Sequence, residues 1–273
     1  MKNNYIKFWG VRGSNPTADL NKMEFGGDTS CIEVRTLNNE LIILDMGSGI
    51  RNLGTKILSD SSYPKKIHIF MSHFHWDHIM GFLYFAPFHD KSFTFNIYGF
   101  NKHTSTKTFS DKILDPTFWP VSIDMLDAKI NFFDLKDNKI EISSQTNVSY
   151  ANHTHPNSAT SYRVETDGHS TVYTTDCEHP KNLNKNVIDI AKNADILIHD
   201  SHFSAEDLDN YKGWGHSSWQ QAIEVAKAAN VKHLFLFHYN PHYDDDIISD
   251  IEKTAKESFH KVTASKQGMK ITF

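Results

Sequence analysis

An α/β domain is what this sequence predicts, on three observations. Short β-branched and aromatic runs alternate with apolar residues at helical spacing. The 273 residues contain no internal repeat, no low-complexity stretch and no linker rich in Pro, Gly or Ser. Strand-like runs dominate the first half, and strand–helix alternation is clearer in the second, as in a domain whose helices cover sheet faces. One domain over 1–273 is therefore expected, with a stretch of weak periodicity at 101–135 read as an insertion.

Taken in order, strands are expected at 6–9, 32–35, 41–44, 67–71, 95–98, 148–151, 161–165, 171–175, 196–199, 234–237 and 270–273. Helices are expected near 50–59, 79–86, 104–114, 183–193, 217–229 and 246–259. The helix at 217–229 has the best support. Ser217 with Gln220 fits a capping box, and Ala222, Ile223, Ala226 and Ala229 recur at helical spacing.

Composition narrows the function. Lys+Arg number 28 and Asp+Glu 33, so the formal charge is 28 − 33 = −5 with His neutral. A broad basic surface for coating nucleic acid is thereby disfavoured. Charged residues at 22% and aromatics at 12%, with 19 Phe, suit a buried core rather than a disordered chain. The longest apolar-leaning run, 79–88, is far short of the ~20 residues of a membrane span. The start, Met1-Lys2-Asn3-Asn4-Tyr5, lacks the apolar core of a signal peptide. Cys31 and Cys177 are the only cysteines, which excludes a disulfide scaffold and makes the cytoplasm the expected compartment.

The unusual number is 17 His, and some of them are spaced. His73-Phe74-His75-Trp76-Asp77-His78 puts four ligand-type side chains into six positions, between a predicted strand and a helical pattern. A loop there can aim His73 and His75 to one side and Asp77 and His78 to the other, for one metal each.

On this motif the chain resembles the metallo-β-lactamase superfamily. Within it, the resemblance is to the branch of tRNA 3′-processing ribonucleases, phosphoribosyl cyclic phosphodiesterases and cyclic-nucleotide phosphodiesterases. It runs from Phe8-Trp9-Gly10-Val11-Arg12-Gly13-Ser14 to Leu236-Phe237-His238-Tyr239-Asn240-Pro241. It implies a four-layer αββα sandwich, two β-sheets face to face with helices outside and metals at one edge. Ile43-Leu44-Asp45-Met46-Gly47-Ser48-Gly49 resembles the family strand whose Asp supports the metal loop without binding metal.

Further site residues follow from the resemblance. In His153-Thr154-His155-Pro156 the family ligand is followed by Pro, and by Tyr-Arg seven residues on. Pro156 and Tyr162-Arg163 select His155, leaving His153 an exposed or supporting residue. Asp176, after Thr174-Thr175, resembles the bridging aspartate, and Cys177 beside it is read as a small strand-end residue. His238 resembles the last ligand. Asp200 and His216 match the ribonuclease pair that cooperates in proton transfer, with Asp in place of Glu and Ser218 in place of Thr. His233 and His242 match no family position and are read as surface residues. His68, His89, His103, His169, His179 and His260 are read as solvated or capping.

The implied metal set is His73, His75 and His155 on one ion and Asp77, His78 and His238 on the other, bridged by Asp176. Two divalent ions per chain are expected, Zn²⁺ first and Mn²⁺ as the alternative. With Asp77, Asp176 and a bridging hydroxide the shell carries about +1, which suits an anionic phosphodiester. The expected catalytic residues are Asp77, Asp200 and His216, the last as proton donor to the leaving alkoxide.

The expected activity is hydrolysis of a small cyclic nucleotide or cyclic phosphate. Alternatives are a tRNA 3′-processing endoribonuclease and a metal-dependent hydrolase of another ester. The ribonucleases typically insert a long tRNA-gripping arm between motif-three His and bridging Asp. Here the interval from His155 to Asp176 is 21 residues, too short for it. No stable nucleic-acid complex and no membrane are expected, and a homodimer is the oligomer implied. Arg12, Arg51, Trp76 and Trp214 are candidates to line the substrate pocket, with Trp76 and Trp214 equally able to pack the loops.

Overall fold

The computed structural model describes residues 3–99, 105–136 and 138–273. His103, position 104 of an expected helix, and the start of the 101–135 stretch lie outside them. Along the chain run β1 (Tyr5–Gly10), β2 (Cys31–Arg35), β3 (Leu41–Leu44), α1 (Ile50–Ser59), β4 (Lys66–Phe70), α2 (Trp76–Ile79), β5 (Thr94–Gly99), α3 (Thr106–Ile113) and β6 (Lys129–Asp134). Then follow β7 (Lys139–Glu141), β8 (Thr146–His153), β9 (Ala159–Thr166), β10 (His169–Thr174), α4 (Lys185–Ala191), β11 (Ile196–Asp200), α5 (Ala205–Leu208), α6 (Trp219–Ala228), β12 (His233–Phe237), α7 (Asp245–Ser258), β13 (Val262–Ala264) and β14 (Lys270–Thr272). They divide between two compact units, one of residues 1–10, 28–136 and 268–273, the other of 11–27 and 137–267.

The first unit holds a seven-stranded sheet, β14-β1-β2-β3-β4-β5-β6. Its first three pairings are antiparallel and its last three parallel. Parallel neighbours require crossovers. Here α1, the α2 region and α3 provide them. All four residues of β3 are buried, as a central strand covered on both faces requires. Leu41, Ile43, Ile67, Ile69, Phe95 and Ile97 of the sheet share a core cluster with Leu53 and Ile57 of α1. Phe85, Phe88 and Phe95 fill it edge to face, at centroid separations of 4.9–5.5 Å.

Two expectations change here. The helix expected at 79–86 is the four-residue α2 followed by 3₁₀ turns over 80–84 and 86–89. The apolar run has helical content, but Pro87 cannot donate to the preceding turn and the chain breaks at Phe85. The weakly periodic stretch contributes β6, which pairs with β5 in parallel.

The second unit repeats the pairing pattern in β13-β12-β11-β10-β9-β8-β7, three parallel and three antiparallel neighbours, although no sequence repeat is visible. Crossovers α4, α6 and α7 supply the parallel part. Helix α6 buries Ala222, Ile223, Val225 and Ala226, and α7 buries Ile248, Ile251 and Ala255. The capping box falls on Ser218 and Gln221, one residue later than expected. Ser217 is the reason: its hydroxyl donates to the Cys177 carbonyl and is not free to cap. Strands β9 and β10 form a hairpin, with Thr166 opposite His169 and the two turn residues Asp167 and Gly168 at φ +50° and +80°.

Arg12 is fully buried and its guanidinium is held by the carbonyls of Gly26 and Tyr243, at 2.9 and 2.6 Å. It fastens backbone and cannot line a substrate pocket. Among the described residues, no helix is long and apolar enough to cross a membrane.

Candidate metal centre

In the first unit the ligand-type residues follow the C-terminal end of β4. Asp45, the residue after β3, fixes that loop as expected. One carboxylate oxygen accepts from the Ser72 N–H at 2.6 Å. The other accepts from the Ser72 hydroxyl at 2.7 Å and from His78 Nδ1 at 2.7 Å. The Ser72 oxygen in turn accepts from His73 Nδ1 at 3.0 Å. Both histidines thus commit Nδ1 as donor, which leaves the Nε2 lone pair available for a metal. His78 Nε2 lies 3.2 Å from Asp77 Oδ2. The His73 ring is 4.5 Å from that of His75 and 4.3 Å from that of His78, so the whole motif converges. Gly47 makes room for it: a Cβ there would stand 2.4 Å from the Asp77 carbonyl oxygen.

In the second unit three loops deliver the remaining residues. His155 follows β8, Asp176 follows β10 and His238 follows β12. His155 Nδ1 donates to the Gly215 carbonyl at 2.8 Å, and its Nε2 lies 3.7 Å from Asp176 Oδ1. His238 Nε2 lies 3.1 Å from Asp176 Oδ2. Gly215, at φ +88°, is required: a Cβ would meet His155 Nδ1 at 2.1 Å. Asp45, Asp176 and His238 all have positive φ, at 61°, 52° and 63°. Each turns its side chain sharply at a strand end, and such strain gathers at functional sites.

Asp200 and His216 also come together. His216 Nδ1 donates to Asp200 Oδ2 at 3.0 Å and stands 3.7 Å from Asp176 Oδ1. Asp200 Oδ1 accepts the backbone N–H groups of His202 and Ser217, at 3.0 and 3.3 Å. Burial alone would raise the Asp200 carboxyl, but the facing His216 imidazole outweighs it and the carboxyl is held down to about 2.

The donor chemistry fits divalent ions. His73, His78 and His155 each present a nitrogen lone pair in a buried setting, those of His78 and His155 beside carboxylate oxygens, a mixture suited to Zn²⁺, Mn²⁺ or Fe²⁺. In the second unit, Asp176, Asp200, His216 and His238 have ligand atoms within 4.8 Å of one another.

Five histidines sit otherwise than the sequence alone suggests. His202 is buried, its Nδ1 donates to the His238 carbonyl at 2.9 Å, and its ring stacks on His216 at 4.2 Å. Burial, then the neighbouring His216 and His238, pushes its pKa down to about 3. A single His two positions after Asp200 offers no spacing signal. His153 is buried rather than exposed, donating to the carbonyls of Thr175 and Asp176 at 3.0 and 3.2 Å. His68 and His179 are likewise buried and not solvated: His68 stacks on Tyr98, and His179 Nδ1 accepts the Asn184 N–H. His233 is half-buried, bonded to Thr263 Oγ1 at 2.9 Å.

Comparison with known proteins adds a family. The model of the beta-lactamase superfamily domain matches residues 42–239. A Ribonuclease Z of Archaeoglobus fulgidus is 38% identical over 104 residues, covering 38% of this chain and 32% of that protein. A Ribonuclease Z of Thermoplasma acidophilum is 24% identical, with 93% and 92% covered. The chain thus spans about a third of the first relative's length and nearly all of the second's. Among solved structures, the metallo-beta-lactamase fold protein YhfI of Bacillus subtilis superposes with a TM-score of 0.74, at 21% identity and full coverage of both chains.

Proposed function

Because the chain belongs to the beta-lactamase superfamily and has the metallo-beta-lactamase fold, we propose that it is a two-metal phosphodiesterase of small cyclic nucleotides or cyclic phosphates. Family membership and the Ribonuclease Z relatives support a metal-dependent hydrolase acting on phosphodiesters. As the family resemblance implies, His73, His75 and His155 hold one ion, Asp77, His78 and His238 the other, and Asp176 serves both. Zn²⁺ is the first choice and Mn²⁺ the second. When bound, two divalent ions supply Lewis-acid activation of water and charge for both phosphate oxygens.

The observation that carries the phosphodiesterase reading is the Asp200–His216 bond at 3.0 Å, next to Asp176. A leaving alkoxide needs a proton at neutral pH. His216 Nε2 is the donor atom, since Nδ1 is committed to Asp200. Asp200 holds the ring in one orientation and offsets the charge of its protonated form.

A second reading, tRNA 3′ processing, draws on the name of the relatives. Against it, the chain between His155 and Asp176 is occupied by the β9–β10 hairpin, closed by a two-residue turn. That leaves no arm for gripping tRNA, and a net charge of −5 does not favour a polyanion. A cytoplasmic homodimer is the state we assign to it; Cys31 and Cys177 are both buried free thiols.

The test is purified protein loaded with Zn²⁺ or Mn²⁺ and offered bis-p-nitrophenyl phosphate, a cyclic-nucleotide panel and precursor tRNA. Cleavage of a cyclic diester, with tRNA left intact at matched enzyme concentration, is expected. Efficient, correctly placed tRNA 3′ cleavage would reverse the ranking.

A further inference from the structure

Along the motif loop, Phe74 and Trp76 alternate with His73, His75 and Asp77. His73 and Asp77 are buried, whereas the Trp76 indole is 61% exposed. The Phe74 ring stacks on Phe109 of α3 at 4.7 Å and 11°. Together with Ile79, Lys112 and Ile113, these rings line a concavity of about 270 Å³. Its wall and the ligand loop are the same piece of chain, since Trp76 stands between His75 and Asp77 and Ile79 follows His78. Lys112 is the single charged side chain on its lining and forms no ion pair among the described residues.

We propose that this concavity receives the nucleobase of the substrate, stacked on Trp76, with the Lys112 ammonium facing the anionic part of the same molecule. The inference rests on the phosphodiesterase reading and names its substrate class. A flat π face accepts any base. The lining offers no hydrogen-bond acceptor from a side chain, and its side-chain donors are Lys112 and the Trp76 indole N–H. The pocket therefore asks for a base without choosing which one. Its volume lies just below the ~300 Å³ at which ligand pockets begin, enough for a ring system rather than a whole nucleotide.

The experiment compares kcat/KM for the four nucleoside 2′,3′-cyclic monophosphates with that for methyl riboside 2,3-cyclic phosphate, which lacks the base. Wild-type protein should prefer every base-bearing substrate, with the four bases close together. Trp76→Ala should lower the ratio of base-bearing to base-free kcat/KM by about 5- to 100-fold, the usual effect of losing one stacking platform. Trp76→Phe should restore most of it. In parallel, calorimetry on the metal-loaded protein measures adenosine 5′-monophosphate against ribose 5-phosphate. Tighter binding of the nucleotide, lost in Trp76→Ala, supports the site even if no diester is turned over, an outcome that would sink only the phosphodiesterase reading. If Trp76→Ala lowers precursor tRNA cleavage and no cyclic substrate, the base belongs to an RNA 3′ end. An unchanged ratio with unchanged nucleotide preference, or a strong choice of one base, would overturn the inference.

Discussion

The two units assemble their candidate ligand residues in opposite ways. The first crowds His73, His75, Asp77 and His78 into one loop after β4, locked by Asp45 and Ser72. The second gathers His155, Asp176 and His238 from three loops, and the register of β8, β10 and β12 decides whether they meet. A local set survives small shifts of the sheet because its members move together. A dispersed set depends on every intervening pairing. The dispersed set also has what the local one lacks: the Asp200–His216 pair lies beside it.

The largest expected effect tests the dispersed set at its centre. Asp176→Ala removes the carboxylate faced by both His155 and His238, so metal content should fall at both ions. Loss of two-metal charge stabilisation, several kcal/mol, should cost about 10³-fold or more in kcat/KM. His75→Ala should lower the occupancy of one ion. Metal analysis of both variants, finding unchanged content in each, would break the ligand assignment.

Next comes His216→Ala. A positioned general acid contributes ~10²–10⁴-fold, so kcat should fall by that much with KM and metal content nearly unchanged. A ribose-hydroxyl leaving group should suffer more than nitrophenolate, and Asp200→Asn should resemble His216→Ala without adding to it. His216 also stands in a four-residue cluster able to hold an ion. Should His216→Ala strip a metal, or slow both leaving groups alike, it is a ligand or a positioning residue.

Smaller still is the support of the local set. Asp45→Asn keeps the shape but weakens the bonds to Ser72 and His78, so metal affinity should drop about 10–100-fold. Activity at saturating metal should recover. A metal titration showing no shift in affinity would mean that the loop holds itself without Asp45.

The smallest effect leaves chemistry alone. Burial in β4 lowers the His68 pKa from 6.5 to about 4. The folded state then binds fewer protons than the unfolded chain between those values. Its stability is full above pH 6.5 and declines as pH falls through 4, by about 3 kcal/mol at most. His68→Phe should flatten that decline. Urea midpoints at pH 7.5 and 4.5 that change equally in both proteins would refute it.

The contrast between the units also explains what the sequence made legible. Four ligand-type residues in six consecutive positions are visible without any fold. Asp176, Asp200, His216 and His238 stand out only beside a family pattern, because their meeting is made by sheet register. His202 carries no period at all, and its place on His216 is a tertiary fact. The charge of Arg12 suggests affinity for phosphate, but the carbonyls of Gly26 and of Tyr243, 231 residues on, claim the guanidinium, a tertiary fact the sequence does not carry. Strands β6, β7 and β13 lie at or near the outer ends of their sheets, and two of them are three residues long, too short for a period of two to register. The late start of α6 turned on one hydroxyl, Ser217, taken by a carbonyl distant in the chain.

Left-handed backbone at Asp45, Asp176 and His238 has a bearing on engineering. Non-glycine residues in that region cost about 1–2 kcal/mol each, and glycine relieves the cost. At 45 the relief would be outweighed, since glycine would leave the buried Ser72 and His78 donors unpaired. A laboratory selection for heat resistance alone would drift toward glycine at 176 and 238, shedding a carboxylate and an imidazole from the proposed centre. Thermostabilised variants of this chain must be chosen with a catalytic screen running beside the thermal one, and positions 176 and 238 held fixed.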